Sequence, residues 1–349
     1  MNAEVLLAHC DCAILTSPAS LMYFSGFDQS DAVIVVTPRE CFFLTDSRYE
    51  VFVKTALLGD WSVRILSRSE QLAFLREVVA SADRVGLEYD HVTLAAVSQL
   101  IGTDGLDKTV DLSPLVLGMR LVKRADEIEV IKRAEAMVDE VYAEVLPLFR
   151  VGVTEQEIAA EITMRLMRRG ATGNAFDPIV AFGENAAMPH AVPSDRTLKK
   201  GDCVLMDFGA KYRGYCSDFT RTVFCGEPTE RFRSAYALVL EAQRVAIRYL
   251  EQGGRNAAEA DAAARRVIDD SPFRGAFNHS LGHGVGVEIH EGPTLSCRST
   301  ARLSEGMVFT LEPGIYVEGE FGVRIESLVL IENGKLTVID RSDKEIYTV

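Results

Sequence analysis

The sequence lacks an excess of positive charge, a low-complexity tract and any repeat of solenoid length. Its formal net charge is -14 at pH 7, whereas nucleic-acid-binding surfaces gather Lys and Arg to neutralise phosphates. We therefore expect no nucleic-acid partner, and small or cationic ligands suit the charge better. Carboxylates around metal ions would explain part of the charge, because the count leaves out their cations. An ordinary acidic surface is the alternative, and the two are compatible.

Long apolar runs and CxxC pairs are also missing. No stretch reaches the roughly 20 apolar residues that a membrane span needs, and the first residues lack the basic segment and apolar core of a signal peptide. The seven cysteines are an odd number and suit reduced thiols in a reducing compartment. We expect a cytoplasmic protein without a membrane partner, in which Cys10 and Cys12 are buried neighbours of a strand rather than a redox pair.

Two domains are predicted from the length of the chain. It has 349 residues, and one domain usually holds roughly 100 to 200. Short β-rich runs alternate with helical stretches at first, which predicts a smaller α/β domain over residues 1–118. Residues 104–127 carry the polar residues and the proline that are typical of a boundary. Residues 119–349 are predicted to form an α+β domain, with helices and strands in separate runs.

Four helices are predicted in the second domain. The first lies near residues 126–149, where apolar residues recur every three or four positions and acids occupy the first turn. The second begins with a capping box, Thr154 with Glu157 three residues on, and ends at Gly170. Two more are predicted over residues 228–254 and 256–270.

Two pairs of acids are placed symmetrically about predicted turns. Asp207 and Asp218 are equidistant from a turn around residues 212–214, so an antiparallel hairpin makes them direct cross-strand neighbours. Glu312 and Glu326 are equidistant from Gly319 in the same way. Two like charges about 5 Å apart destabilise a sheet unless a cation lies between them. A solvated or salt-bridged surface is the alternative, and a second pair with a histidine motif between the two makes it a poor one.

The histidine motif, NHSLGHGVGVEIHEGP, contains His279, His283 and His290, which are three of the six histidines in the chain. Its glycines allow close approach of backbone and ligand. A lone histidine in a strand is usually structural, but three within twelve residues favour metal binding or acid-base work.

The combined set of four carboxylates and an imidazole suits Mn(II), Co(II) or Zn(II). It has more carboxylates than one ion requires, so a pair of ions is predicted. Two ions about 3.5 to 4 Å apart would hold a bridging water, lower its pKa and polarise a carbonyl. The expected reaction is hydrolysis.

Four motifs, in the order DFGAKYRGYCSDFTRT, HSLGHGVGVEIHE, LEPGIYV and GVRIE, resemble the pita-bread metallopeptidases, the family of methionine aminopeptidase, aminopeptidase P, prolidase and creatinase. LMYFSGF, FLTDSRY and VGLEYD resemble the N-terminal domain of the prolidase and aminopeptidase P branch. The resemblance implies a creatinase-type N-terminal domain over residues 1–118 and a pita-bread catalytic domain over residues 119–349. It also implies a homodimer with two divalent metal ions, foremost Mn(II), that cleaves Xaa-Pro dipeptides or short proline-containing peptides.

The resemblance also implies roles for individual residues. The implied metal ligands are Asp207, Asp218, His283, Glu312 and Glu326, with Asp218 and Glu326 bridging. Glu312 would also handle the proton of the attacking water. His190 and His290 would contact the substrate and steady the tetrahedral intermediate, although a loop histidine without a role is an alternative for His190.

Two further residues have open roles. Arg324 helps to bind or orient the substrate in the family, and pairing with a ligand carboxylate is an equal alternative. His279 would support the site or contact the substrate carboxylate.

One position departs from the family, because relatives commonly have an acid where this chain has Ser327. The missing charge could change the tuning of the metals, but it does not imply loss of activity. Two other functions were weighed: a pita-bread relative acting on another small amide or C–N substrate, and a non-catalytic peptide-binding relative. The complete ligand set argues against both. The choice between dipeptidase and aminopeptidase stays open, and the short N-terminal domain leans towards a dipeptidase.

Overall fold

A computed structural model describes residues 3–349 of the chain, without the side chains of Thr103 and Asp104. The chain divides into two compact units, Met1–Arg120 and Leu121–Val349. None of the helices formed by the described residues combines the length and the apolar character that a membrane crossing requires.

The first unit is a mixed six-stranded sheet with helices. Its helices are α1 (Ala3–Leu7), α2 (Pro18–Ser25), α3 (Glu50–Ala56), α4 (Arg68–Ala80), α5 (Leu94–Ile101) and α6 (Ser113–Leu121). Its strands are β1 (Cys12–Leu15), β2 (Ala32–Val36), β3 (Cys41–Thr45), β4 (Ser62–Ile65), β5 (Val85–Leu87) and β6 (Thr109–Asp111). The order across the sheet is β4-β3-β2-β1-β5-β6, with β1 and β3 antiparallel to β2 and the other neighbours parallel.

Both faces of this sheet are buried, which explains the continuous apolar runs in its strands. In β1, Ala13 and Leu15 pack into one apolar cluster, and Cys12 and Ile14 pack into the other. The β-rich runs predicted from the sequence are confirmed as strands of this sheet. Cys10 and Cys12 are buried free thiols beside and within β1, as predicted.

The segment predicted as a boundary is largely regular structure. Residues 104–127 contain β6 and α6 before the next helix begins. Pro114, which suggested a break in the chain, occupies the first turn of α6, where the missing N–H of proline has no helical partner to lose.

The second unit has four longer helices and several small sheets. Its helices are α7 (Ala125–Val145), α8 (Glu155–Arg168), α9 (Glu230–Glu251) and α10 (Ala257–Asp269). Its first strands are β7 (Gly173–Asn174), β8 (Ile179–Phe182), β9 (Cys203–Phe208), β10 (Ala210–Tyr212), β11 (Tyr215–Cys216) and β12 (Phe219–Phe224). The remaining strands are β13 (Gly282–Gly284), β14 (Glu291–Leu295), β15 (Val308–Leu311), β16 (Gly314–Val317), β17 (Phe321–Arg324), β18 (Ser327–Glu332) and β19 (Lys335–Val338).

The strands form antiparallel sheets between two layers of helices. The sheet orders are β12-β9-β8, β11-β10-β7 and β14-β13-β15-β18-β19, with β16 and β17 as a separate pair. Side chains of β8 alternate: Val180 and Phe182 join the cluster of α7 and α8, whereas Ile179 and Ala181 join the cluster of α9 and α10.

The four predicted helices are confirmed. The capping box of Thr154 and Glu157 begins α8, and Gly170 lies just past its end with φ 93°.

Candidate metal centre

The first pair of acids is not directly opposed, so that part of the sequence prediction is wrong. Strands β9 and β12 pair Asp207 with Thr220, two residues beyond Asp218. The hairpin tip consists of Arg213 and Gly214, both with positive φ, whereas the sequence placed its centre between Tyr212 and Arg213. A two-residue turn with two positive φ angles matches the twist of the strands. The resulting shift makes Asp207 and Asp218 diagonal neighbours on one face, which still brings their side chains close.

The second pair of acids follows the prediction. The ladders β15–β18 and β16–β17 share one register, and that register places Glu312 opposite Glu326 in the gap between them. The hairpin turns at Gly319, whose φ is 72°. The side chains of Glu312 and Glu326 therefore start from directly opposite backbone positions.

His283 joins acids from both pairs. One ligand atom from each of Asp218, His283 and Glu326 lies within 4.8 Å of the others. His283 Nε2 is 3.4 Å from Asp218 Oδ2 and 3.5 Å from Glu312 Oε1. His283 Nδ1 is 3.1 Å from the carbonyl oxygen of Gly284, which leaves Nε2 for the acids. The imidazole therefore faces carboxylates from both hairpins.

Arg324 connects Asp207 to the rest of the site. Its Nη2 is 2.5 Å from Asp207 Oδ2. Its Nε donates to Thr220 Oγ1 at 3.2 Å, and the Thr220 hydroxyl donates to Glu326 Oε2 at 2.7 Å. Arg324 and Glu326 therefore reach the same hydroxyl, as expected for side chains on one face. Arg324 thus pairs with Asp207, one of the predicted ligand carboxylates.

Tyr316 extends this network to His279. Its hydroxyl lies 2.7 Å from Arg324 Nη1 and 2.9 Å from His279 Nε2. His279 Nδ1 is 4.0 Å from Glu312 Oε2. His279 is thus held beside the centre, in agreement with a supporting position.

The acids are strongly perturbed by their surroundings. Burial, with the charges of Glu326 and Asp207, raises the pKa of Asp218 well above its usual range. Burial raises the pKa of Glu312 to about 8. Burial, with the charges of Glu312 and Asp207, also raises the pKa of Glu326. Burial lowers the pKa of His283 to about 4, so the imidazole is neutral near pH 7 and available as a ligand.

Two carboxylate oxygens of the cluster are buried without a hydrogen-bond partner among the described residues. They are Asp207 Oδ1 and Glu326 Oε1. Unpaired buried oxygens are costly, and a cation satisfies several of them at once. With four acids and a neutral imidazole, the donor set fits divalent metal ions.

His190 and His290 lie on the exposed side of the centre. The ring centroids of His290 and His283 are 4.3 Å apart. Burial, with the nearby charge of His190, lowers the pKa of His290. Both exposed histidines therefore lie where a ligand of the centre could reach them.

Ser327 directly follows Glu326 in the chain. It is fully buried and its Oγ accepts a hydrogen bond from Gln243 Nε2 at 3.2 Å. The same amide donates to the carbonyl oxygens of Leu311 and Ile325 at 2.9 and 3.0 Å. These two residues immediately precede Glu312 and Glu326, so Gln243 fixes the backbone beside both acids.

Sequence reasoning missed Thr220, Tyr316 and Gln243. Tyr316 lies within the LEPGIYV motif, and Thr220 follows Asp218 with the strand period of two, so both carried a local signal. Gln243 carried none, because it lies inside a helix predicted only from its apolar spacing.

Comparisons with known proteins identify the family of each part of the chain. Residues 129–333 match metallopeptidase family M24, and residues 6–122 match the creatinase/prolidase N-terminal domain. The sequence is 35% identical over 345 residues to the uncharacterised peptidase YqhT of Bacillus subtilis, with 96% of this chain and 95% of that one covered. It is 34% identical over 336 residues to the Xaa-Pro dipeptidase of Pyrococcus furiosus, with 95% of this chain and 94% of that one covered.

A solved structure gives the same result. The X-Pro aminopeptidase from Thermotoga maritima superposes with a TM-score of 0.91 at 35% identity, and the match covers 100% of both chains. Fold and site thus define a metallopeptidase. The chain belongs to metallopeptidase family M24, and its predicted fold class, a creatinase-type N-terminal domain before a pita-bread catalytic domain, is confirmed.

Proposed function

We propose that the protein hydrolyses the peptide bond between an N-terminal residue and a following proline, with two divalent metal ions in its site. The observation that carries the proposal is the convergence of Asp218, His283 and Glu326 with Glu312 beside them. Two proteins of closely similar sequence or structure, named above, are described as an Xaa-Pro dipeptidase and an X-Pro aminopeptidase.

The proposal assigns the metal ions to five residues. They are Asp207, Asp218, His283, Glu312 and Glu326. When bound, two divalent ions lower the pKa of a water molecule and polarise the attacked carbonyl. Their charge would also satisfy the two unpaired carboxylate oxygens in this cluster.

Glu312 is assigned the proton transfer. A general base has to lie within reach of the proton that it takes, and Glu312 Oε1 lies within the cluster of acids, 3.5 Å from His283 Nε2. It would take the proton of the attacking water and return it to the leaving nitrogen. Its place beside His283 and His279 keeps the carboxylate directed at the centre.

The histidines and the arginine bind and orient the substrate in this proposal. His190 and His290, on the exposed side, would donate hydrogen bonds to the oxygen that becomes negative as the carbonyl is attacked. Arg324, held between Asp207 and Tyr316, would help to orient the substrate and also fixes the acid that it pairs with. His279 would support Glu312 or meet the carboxylate of the substrate.

Proline explains why a dedicated site is needed. Its nitrogen carries no N–H once it is in a peptide bond, and its ring fixes φ. A peptidase that binds an extended substrate through a hydrogen bond from that N–H cannot form this bond when the residue is proline. A site that holds the carbonyl instead does not depend on the missing donor.

The test uses the purified protein after metal removal and reloading with Mn(II). Xaa-Pro dipeptides, Xaa-Pro-Yaa tripeptides and the matched Xaa-Ala peptides are offered, with His283→Ala as the variant that loses the imidazole ligand. Cleavage of the proline peptides alone, abolished in the variant, is expected. Cleavage of dipeptides only assigns a dipeptidase and cleavage of both assigns an aminopeptidase, whereas cleavage of neither overturns the proposal.

We further propose that the metal is Mn(II), that the protein is a homodimer and that it is located in the cytoplasm. Its two domains are proposed to span residues 1–118 and 119–349. The metal is identified from the metal content of the protein isolated from its own cells. Sedimentation measures the oligomeric state, and cell fractionation measures the location. Limited proteolysis near residue 118 measures the domain boundary.

A further inference from the structure

The loop that carries His190 has few hydrogen bonds within itself. We define the His190 loop as residues 183–193, which begin with the 3-10 helix Gly183–Ala187. Within the loop, the N–H of Met188 donates to the carbonyl of Asn185 at 3.0 Å, and the N–H of Ala191 donates to the carbonyl of Met188 at 3.1 Å. A loop with so little internal structure needs anchors to hold an exposed side chain in place.

Glu155 supplies anchors at both ends of the His190 loop. Its Oε1 accepts from the N–H of Phe182 at 2.8 Å and from Asn185 Nδ2 at 3.0 Å. Its Oε2 accepts from the N–H and the hydroxyl of Ser194 at 2.9 and 2.6 Å. The Glu155 side chain is fully buried. One carboxylate thus joins the residue before the loop, a residue in its first turn and the residue after it.

This arrangement differs from the usual role of an acid in the first turn of a helix. Glu155 is the first residue of α8, but the cap of that helix is made by its neighbours Thr154 and Glu157. The side-chain hydrogen bonds given above for Glu155 all come from the loop or its ends. The positive end of the helix dipole also favours a carboxylate here. The first residue of α8 therefore binds both ends of the His190 loop.

A second anchor reaches the middle of the loop from the metal centre. Arg324 Nη1 donates to the carbonyl of Pro189 at 3.3 Å, next to His190. The loop is thus held at its ends by Glu155 and at its centre by the arginine that pairs with Asp207. Without the ends, the loop keeps that central contact and the burial of Ala186 and Ala191 in the apolar core, and neither of these fixes the loop at its two ends.

We infer that Glu155 is a positioning residue, which holds both ends of the His190 loop and so sets the place of His190 beside the metal centre. The clamp itself depends only on the contacts described above. The effect of the clamp on substrate cleavage rests on the proposed function, because that effect requires His190 to contact the substrate.

Glu155→Gln is the informative change because it keeps the shape and removes an acceptor. The amide can accept through its single oxygen only, and its NH2 group then faces the donors of the other end of the loop. Buried donors without an acceptor destabilise the local structure. Glu157→Gln is the matched control, since it alters the same helix start at an exposed cap that does not contact the loop. Glu155→Asp retains a carboxylate and serves as the conservative variant.

The first experiment measures hydrogen exchange of the folded, metal-loaded protein by mass spectrometry. Amides of residues 182–194 are expected to exchange about tenfold faster or more in Glu155→Gln, with no change in Glu157→Gln and an intermediate rate in Glu155→Asp. Equal exchange of this segment in Glu155→Gln and the parent protein overturns the clamp. This readout does not require any peptidase activity.

The second experiment measures the coupling of Glu155 to His190. With an Xaa-Pro dipeptide, Glu155→Gln is expected to lower kcat/KM by about tenfold or more in the parent, but less than about twofold in a His190→Ala background. Bound metal content is expected to stay unchanged in all variants. Equal losses in the two backgrounds mean a merely structural role and overturn the inference. If the parent cleaves no Xaa-Pro peptide, the proposed function fails, and the exchange experiment still decides whether Glu155 clamps the loop.

Discussion

Three of the acids lie immediately outside strands. Asp218 precedes β12, Glu312 follows β15 and Glu326 precedes β18. Within a strand, neighbouring side chains point to opposite faces, so residues at strand ends have more freedom to converge on one point. The fold thus brings together acids that repel one another when they are charged and no cation is present.

At this scale, Asp218→Asn is predicted to separate folding from metal binding. The amide keeps the shape of the side chain and removes one of the mutually repelling buried acids. We expect the metal-free variant to have a Tm equal to or higher than that of the metal-free parent, while the rise in Tm on addition of Mn(II) is lost. Differential scanning calorimetry measures both.

The control for this prediction is Asp270→Asn, an exposed aspartate after α10, which should leave the Mn(II)-dependent rise intact. A metal-free Asp218→Asn protein that is clearly less stable than the parent would contradict the argument, because it would mean that the acid stabilises the fold without a cation.

At the scale of elements, the centre depends on a helix that contributes no ligand. Gln243 of α9 is fully buried and holds the backbone of β15 and of the chain before β18 through one amide group. It also contacts the hydroxyl of Ser327. A neutral amide paired with a neutral hydroxyl keeps this side of the centre free of further negative charge.

Replacement of Gln243 by Leu is predicted to damage both stability and metal affinity. The change leaves two buried carbonyl groups without this donor, which costs about 1–3 kcal/mol of unfolding free energy. Glu312 and Glu326 then lose the support of the backbone residues that precede them, so Mn(II) affinity should fall by about tenfold or more, within the range known for groups that orient metal ligands. Urea unfolding and isothermal titration calorimetry measure the two effects.

Gln252→Leu, at the end of the same helix, is the matched comparison and should change neither quantity much. An unchanged Mn(II) affinity in folded Gln243→Leu would refute the idea that this amide positions the two acids.

At the scale of the whole molecule, metal binding and folding are linked through the protonation of the acids. The fold raises the pKa of Glu312 to about 8, from about 4.3 in an unfolded chain. A carboxyl group with a raised pKa in the folded state stabilises the fold at low pH. That contribution is lost as the pH rises from the unfolded value through the folded one.

We therefore predict that metal ions stabilise the protein more at about pH 8 than at about pH 6. At the lower pH the metal-free centre is neutralised by protons, and at the higher pH only metal ions can neutralise it. The measurement is the difference in Tm with and without Mn(II) at the two pH values. A larger difference at about pH 6 would exclude this linkage.

Much of the fold and of the site could be predicted from local patterns. The β-rich runs of the first unit, the four longer helices of the second and the opposition of Glu312 and Glu326 follow from periodicity and spacing, which the printed sequence contains. The Asp207 pairing could not be predicted as well, because a two-residue shift in the strand pairing leaves the same face buried and so leaves the apolar pattern unchanged.

The sequence by itself determined which chemical groups the centre has: four carboxylates, an imidazole and three further histidines. The tertiary structure alone decided how these groups are held. Arg324 and Asp207 are 117 residues apart in the chain. Gln243 and Glu155 form hydrogen bonds with segments distant from them in the sequence, and no sequence pattern links either residue to its partners. Such contacts depend on how distant elements pack, and local spacing carries no information about that packing.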